Sequence, residues 1–109
     1  MPRNLHEIGK IVIGNKKTIT CDYPSSEIIL YGSRARKEET AFSDWDVLII
    51  IDDDLTENQK IGIHDKLFGI ELKTGEIINS IIHTKREWTN PLMQATPFYQ
   101  NVTKEGITL

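Results

Sequence analysis

The chain has one cysteine, Cys21, in 109 residues, so it can form no internal disulfide, and nothing in its pattern resembles a zinc-ligand cluster. With no histidine beside it in the sequence, Cys21 reads as a small buried residue rather than a reactive thiol. Any long block of basic residues is missing too, and the net charge is -3. A protein that grips a nucleic-acid backbone carries a basic footprint, so stable, sequence-independent binding to DNA or RNA is not expected. No apolar run approaches a membrane span, and the N-terminus lacks the apolar core of a signal peptide, which makes the cytoplasm the expected compartment. Repeats, linkers and low-complexity stretches are absent as well, so residues 1–109 read as a single domain with one core. Hydrophobic residues at 39% and charged residues at 27% are ordinary for a globular chain and argue against disorder.

The chemistry is concentrated between Ser26 and Ile51, in SEIILYGSRARKEETAFSDWDVLIII. Two apolar runs, Glu27 to Tyr31 and Trp45 to Ile51, predict buried strands bounded by turn residues. Side chains alternate along a strand, so Asp44 and Asp46 share one face and Trp45 takes the other. Two carboxylates about 7 Å apart repel, and a divalent cation is their usual neutraliser. Oxygen ligands in this number suit Mg2+, which fills its remaining positions with water and phosphate oxygens. Gly32 and Ser33 sit where the first strand leaves the sheet. A glycine lets backbone approach a phosphate closely, and a serine adds a hydroxyl donor. A phosphate grip beside a metal grip predicts a nucleoside triphosphate site.

Gly32-Ser33, ten intervening residues and then Asp44-x-Asp46, set within LYGSRAR and SDWDVLI, resemble the signature of the minimal nucleotidyltransferases (MNT) of the DNA polymerase beta-like superfamily. The resemblance implies an α/β (α+β) fold, a small mixed sheet of about three to four strands flanked by helices. Among its members the chain is most similar to short MNT proteins that act as antitoxins of HEPN ribonuclease toxins. Some of these transfer AMP from ATP to a tyrosine of the toxin. Carried onto this sequence, that implies a catalytic centre at Asp44, Asp46 and Asn79, with Mg2+ held by Asp44 and Asp46. Nucleotide binding falls to Gly32, Ser33, Arg34 and Arg36, ATP is the substrate, and the partner is a HEPN-type toxin. Arg34 and Arg36 can equally belong to a solvated face with local ion pairs, or meet an acidic partner. Relatives often carry glycine where Lys37 stands.

The resemblance also calls for a third carboxylate, on the next strand, that supports the metal and takes a proton from the attacking hydroxyl. The matching position is Asn79, whose amide cannot serve as a base at neutral pH. Glu71 and Glu76 are the nearest acids, with Glu76 on the opposite face of the predicted strand. His83 shares Asn79's face but lies about 13 Å along it. Two other functions therefore stay open. One is an antitoxin that neutralises its toxin by contact alone. The other is a small-molecule nucleotidyltransferase that builds its acceptor cleft as a homodimer.

Around this centre, Leu5, Ile8 and Val12 have helical spacing, and a helix ending before Tyr23-Pro24 is expected. Asp52-Asp53-Asp54 reads as a solvated strand end. Thr56 to Gln59 reads as a capping box opening a helix whose Ile61, Leu67, Phe68 and Leu72 should pack on the sheet, with Gly75 as its stop. On that helix His64 reads as structural. Glu76 to His83 is the third predicted strand. Thr84 to Glu87 forms a second capping box, which Asn90-Pro91 breaks. Thr96-Pro97 opens a last helix that Gly106 ends, with Phe98 and Tyr99 either packed on the core or forming a partner surface.

Overall fold

The computed structural model describes residue 14, residues 16–32 and residues 44–109. Residues 16–22 are helical (α1), which agrees with a helix ending before Tyr23, while Leu5, Ile8 and Val12 lie outside the described residues. The strands β1 (Glu27–Tyr31) and β2 (Trp45–Ile51) follow. Helix α2 (Glu57–Thr74) then leads to β3 (Ile78–Thr84). Three short helices, α3 (Lys85–Trp88), α4 (Pro91–Gln94) and α5 (Pro97–Glu105), and the two-residue β4 (Ile107–Thr108) close the chain.

The four strands form one mixed sheet in the order β3-β2-β1-β4, with β2 and β3 parallel and both β1 pairings antiparallel. Parallel neighbours need a long crossover, and α2 supplies it. Its start carries both halves of the capping box: Gln59 N–H donates to Thr56 Oγ1, and Thr56 N–H donates to Gln59 Oε1. Gly75 ends it in the left-handed region at φ 72°.

Alternation along the strands splits the core in two. On one face Ile28, Leu30, Trp45, Val47, Ile49, Ile51, Ile78 and Ile82 pack against Ile19 of α1 and Ile63 and Leu67 of α2. Burying each large apolar side chain there contributes about 1.5–3 kcal/mol. An ion pair between Lys66 and Asp22 ties α2 to α1. On the other face Leu48 and Ile50 pack with Val102, Ile29, Tyr31, Trp88 and Phe98, so α3 and α5 cover part of it.

Four expectations need correction. Ile63, Leu67 and Ile70 are the residues of α2 that meet the sheet, whereas Ile61, Phe68 and Leu72 are exposed at 55%, 55% and 71%. Each trio has helical spacing, and only the packed sheet decides which one turns inward. Cys21 is exposed, because Ile19 takes the buried face of α1. β3 begins at Ile78 rather than Glu76, since pairing with β2 starts at Trp45↔Ile78. Asn90-Pro91 ends α3 but also opens α4, with Asn90 Oδ1 accepting from Leu92 N–H at 2.8 Å. The acids after β2 are exposed as expected, with Asp52 3.9 Å from Lys85 and Asp54 3.3 Å from Arg86. No helix among the described residues is long and apolar enough to cross a membrane.

Candidate active site

Trp45 anchors the start of β2. It is 2% exposed, and its indole Nε1–H donates to Glu76 Oε2 at 3.2 Å within the core. With the indole pinned on that face, the pleat turns Asp44 and Asp46 to the other one, where both remain half-buried. The register then lines up three side chains on that face, because Asp46 pairs with Tyr31 on β1 and with Asn79 on β3. The Asn79 amide donates to Asp44 Oδ2 at 2.9 Å and to Asp46 Oδ1 at 3.4 Å. Ionised carboxylates only accept, so this chemistry orients the amide nitrogen toward them. Asp44, Asp46 and Asn79 are thus brought together by two adjacent strands.

Gly32 closes the site from the end of β1. Its φ is 75°, and a Cβ on it would lie 2.3 Å from Asp46 Oδ2. Only glycine allows both that conformation and the approach of the carboxylate. Ser33, Arg34 and Arg36 lie outside the described residues.

The other acids are used elsewhere. Glu71 accepts the Ile78 N–H at 2.9 Å, which ties the end of α2 to the start of β3. Glu76 is on the buried side with Trp45. Among the described residues no group of three or more His, Cys, Asp or Glu converges on a metal position. The donors that do converge are two carboxylates and one amide, all able to present hard oxygens, which fits a magnesium-type ion.

Tyr31 is a neighbour that the sequence reading passed over. Its phenol is pushed up to about 12 by burial and, second, by the negative charge of Asp46. It therefore stays neutral at physiological pH. The signal was its place immediately before Gly32. Its ring meets Phe98 edge-on at 5.4 Å, and Phe98 in turn meets Trp88 at 5.9 Å. His83 stacks on Trp88 at 6.2 Å, with Nδ1 3.6 Å from Glu87 Oε2, so it belongs to this aromatic floor. Tyr99 joins the same floor through Trp88, at 4.7 Å. His64 hydrogen-bonds Ser80 Oγ at 2.9 Å, between α2 and β3.

Residues 16–109 match the family described as polymerase beta, nucleotidyltransferase. The chain belongs to this nucleotidyltransferase family. A Methanocaldococcus jannaschii protein described as "Putative protein adenylyltransferase MJ0604" is 36% identical over 83 residues, or 76% of each chain. The fold is similar to that of a solved structure described as "Crystal structure of the toxin-antitoxin with AMP-PNP". The TM-score is 0.55 at 18% identity, covering 97% of this chain and 72% of that one. In this nucleotidyltransferase, Asp44 and Asp46 stand at the start of the inner strand β2 with an amide across from them.

Proposed function

We propose that this nucleotidyltransferase transfers AMP from ATP to a protein hydroxyl, a tyrosine of a HEPN-type toxin, and so acts as its antitoxin. The observation that carries this reading is the convergence of Asp44 and Asp46 on Asn79 beside Gly32, whose shape admits backbone close to the carboxylates. The relative described as a protein adenylyltransferase supports a protein acceptor, and the toxin-antitoxin structure with AMP-PNP supports the same kind of partner and nucleotide. The tyrosine oxygen forms a bond to the α-phosphorus of ATP, the bond to the bridging oxygen breaks, and pyrophosphate leaves. The phenol proton passes to solvent, because Asn79 cannot accept it. Asp44 and Asp46 would hold Mg2+, which neutralises charge on the phosphates. Gly32, Ser33, Arg34 and Arg36 would position the triphosphate.

The absence of a base at Asn79 shapes the choice of acceptor. General-base help is worth about 10²–10⁴ in rate, and a phenol with an ordinary pKa near 10 needs less of it than an aliphatic hydroxyl. Incubation of the protein with ATP, Mg2+ and the toxin, followed by mass spectrometry, should show an AMP adduct on a toxin tyrosine. Asn79→Asp should raise the rate of its formation. Asn79 also favours a second reading, an antitoxin that acts by contact alone. A tight toxin complex with no adduct from either protein would select that reading.

A further inference from the structure

We propose that Asn79 is a reversible cap on the metal site: its amide hydrogens hold the two carboxylates in the metal-free protein, and its amide oxygen replaces them there when a divalent cation binds. This rests on the reading of Asp44 and Asp46 as metal ligands.

A side-chain amide has two N–H donors, and here one nitrogen reaches both carboxylates, at 2.9 Å and 3.4 Å. In the absence of metal this is the favourable arrangement, because it lends partial positive charge to two anions on one face. A cation placed between the same oxygens meets those hydrogens head-on, so the two arrangements exclude each other. The side chain need not leave. The terminal torsion of asparagine is broad and two-fold, and a half-turn exchanges nitrogen for oxygen without moving the backbone. The oxygen then stands where the nitrogen now is. Ligands about 2.1 Å from an octahedral Mg2+ lie about 3.0 Å apart along a shared edge. The present separations from Asp44 and Asp46 bracket that value. Asn79 therefore occupies a ligand's position, and its amide carries both the donor suited to the empty site and the acceptor suited to the filled one. A carboxylate at this position could not make the first arrangement, since it would add a third negative charge to the metal-free cluster.

The test uses the 15N-labelled 109-residue chain. On titration with Mg2+, the Asn79 side-chain amide signals should shift and their protons should exchange faster with water, because they have turned away from the carboxylates. Mn2+ binding, followed by the loss of the free-ion paramagnetic resonance signal, provides affinities. Asn79→Ala should weaken Mn2+ by about tenfold, the lower end of what loss of a supporting side chain costs a metal site. Asn79→Asp should bind more tightly than wild type. Metal-free melting curves identify any variant that has not folded, and the wild-type amide signals need no variant at all. Amide protons that stay protected with metal bound, or an Asn79→Ala protein that binds Mn2+ as tightly as wild type, would overturn the proposal. Asp46→Asn separates the two levels of the argument. If it binds Mn2+ like wild type, or if wild type binds none, the metal reading itself falls and the cap falls with it.

Discussion

Two polar contacts stand at the start of the β2–β3 ladder, one residue apart along β2 and on opposite faces of the sheet. On one side Glu76 takes the indole hydrogen of Trp45 inside a sealed apolar core. On the other, Asn79, itself exposed, donates to Asp44 and Asp46, which are half-buried. Both contacts join a side chain at the start of β2 to one at or just before β3, and both involve carboxylates. The covered pair locks the strands together because neither partner can turn to water. In the open pair the oxygens can change partners, which is what binding requires. Position on the pleat, more than residue type, separates the acid used in the core from the two that face outward.

The sharpest way to separate the two faces is to remove each in turn. Asp44→Asn with Asp46→Asn should lower AMP transfer by at least about 10²–10³-fold while the metal-free protein melts no lower than wild type, since mutual repulsion is relieved. Trp45→Ala should do the reverse to stability, costing about 3–5 kcal/mol in chemical unfolding through the cavity left behind. A large fall in melting temperature from the double aspartate variant would make the open face structural and erase the distinction.

Gly32→Ala tests whether the open face is as finely fitted as the closed one. The left-handed φ alone costs about 1–3 kcal/mol, and the new methyl collides with Asp46 Oδ2. Metal binding should be impaired beyond what the stability loss explains. Calorimetric titration with Mg2+ checks this, and unchanged affinity would mean that Asp46 can sit elsewhere.

Smaller effects sharpen the assignment of the remaining acids. Glu71→Ala should cost about 1–2 kcal/mol, because the Ile78 N–H loses its acceptor, with the transfer rate unchanged. A drop in rate at constant stability would instead give Glu71 the role that Asn79 cannot play. Glu87 is exposed, in the short helix α3 that follows β3. The Thr84 N–H, bonded to its carboxylate, holds it below its ordinary value of 4.5. A lowered folded value stabilises above that ordinary value and is lost as pH falls through the folded one. The melting-temperature gap between wild type and Glu87→Gln should therefore narrow on acidification from pH 6 to pH 3. A gap that stays constant would show that the charge contributes nothing.

Much of this was legible in the residues. The bounds of β1 and β2, the capping boxes at Thr56 and Thr84, the Thr96-Pro97 start and the Gly106 stop are local events, set by alternation and by side chains that reach only a few residues. The shared face of Asp44 and Asp46 follows from the same alternation. Other features had no local signal. β4 is two residues long and carries no period of its own, so it exists only because Ile29 and Leu30 offer an edge. The inward face of α2 could be read two ways, and β2 chose Ile63 and Leu67 over Ile61 and Phe68.

By itself the sequence determined the bounds of β1 and β2, the capped starts of α2, α3 and α5, and that two carboxylates stand together after a glycine turn. Only the tertiary structure decided that Asn79 reaches both of them, that Glu71 and Glu76 are spent on Ile78 and Trp45, and that Gly32 must lack a side chain because Asp46 leans on it. The reason is one of range. Local preferences act over a turn or a strand, whereas the parallel register that sets Asp46 beside Asn79 arises only when α2 has carried the chain back across the sheet.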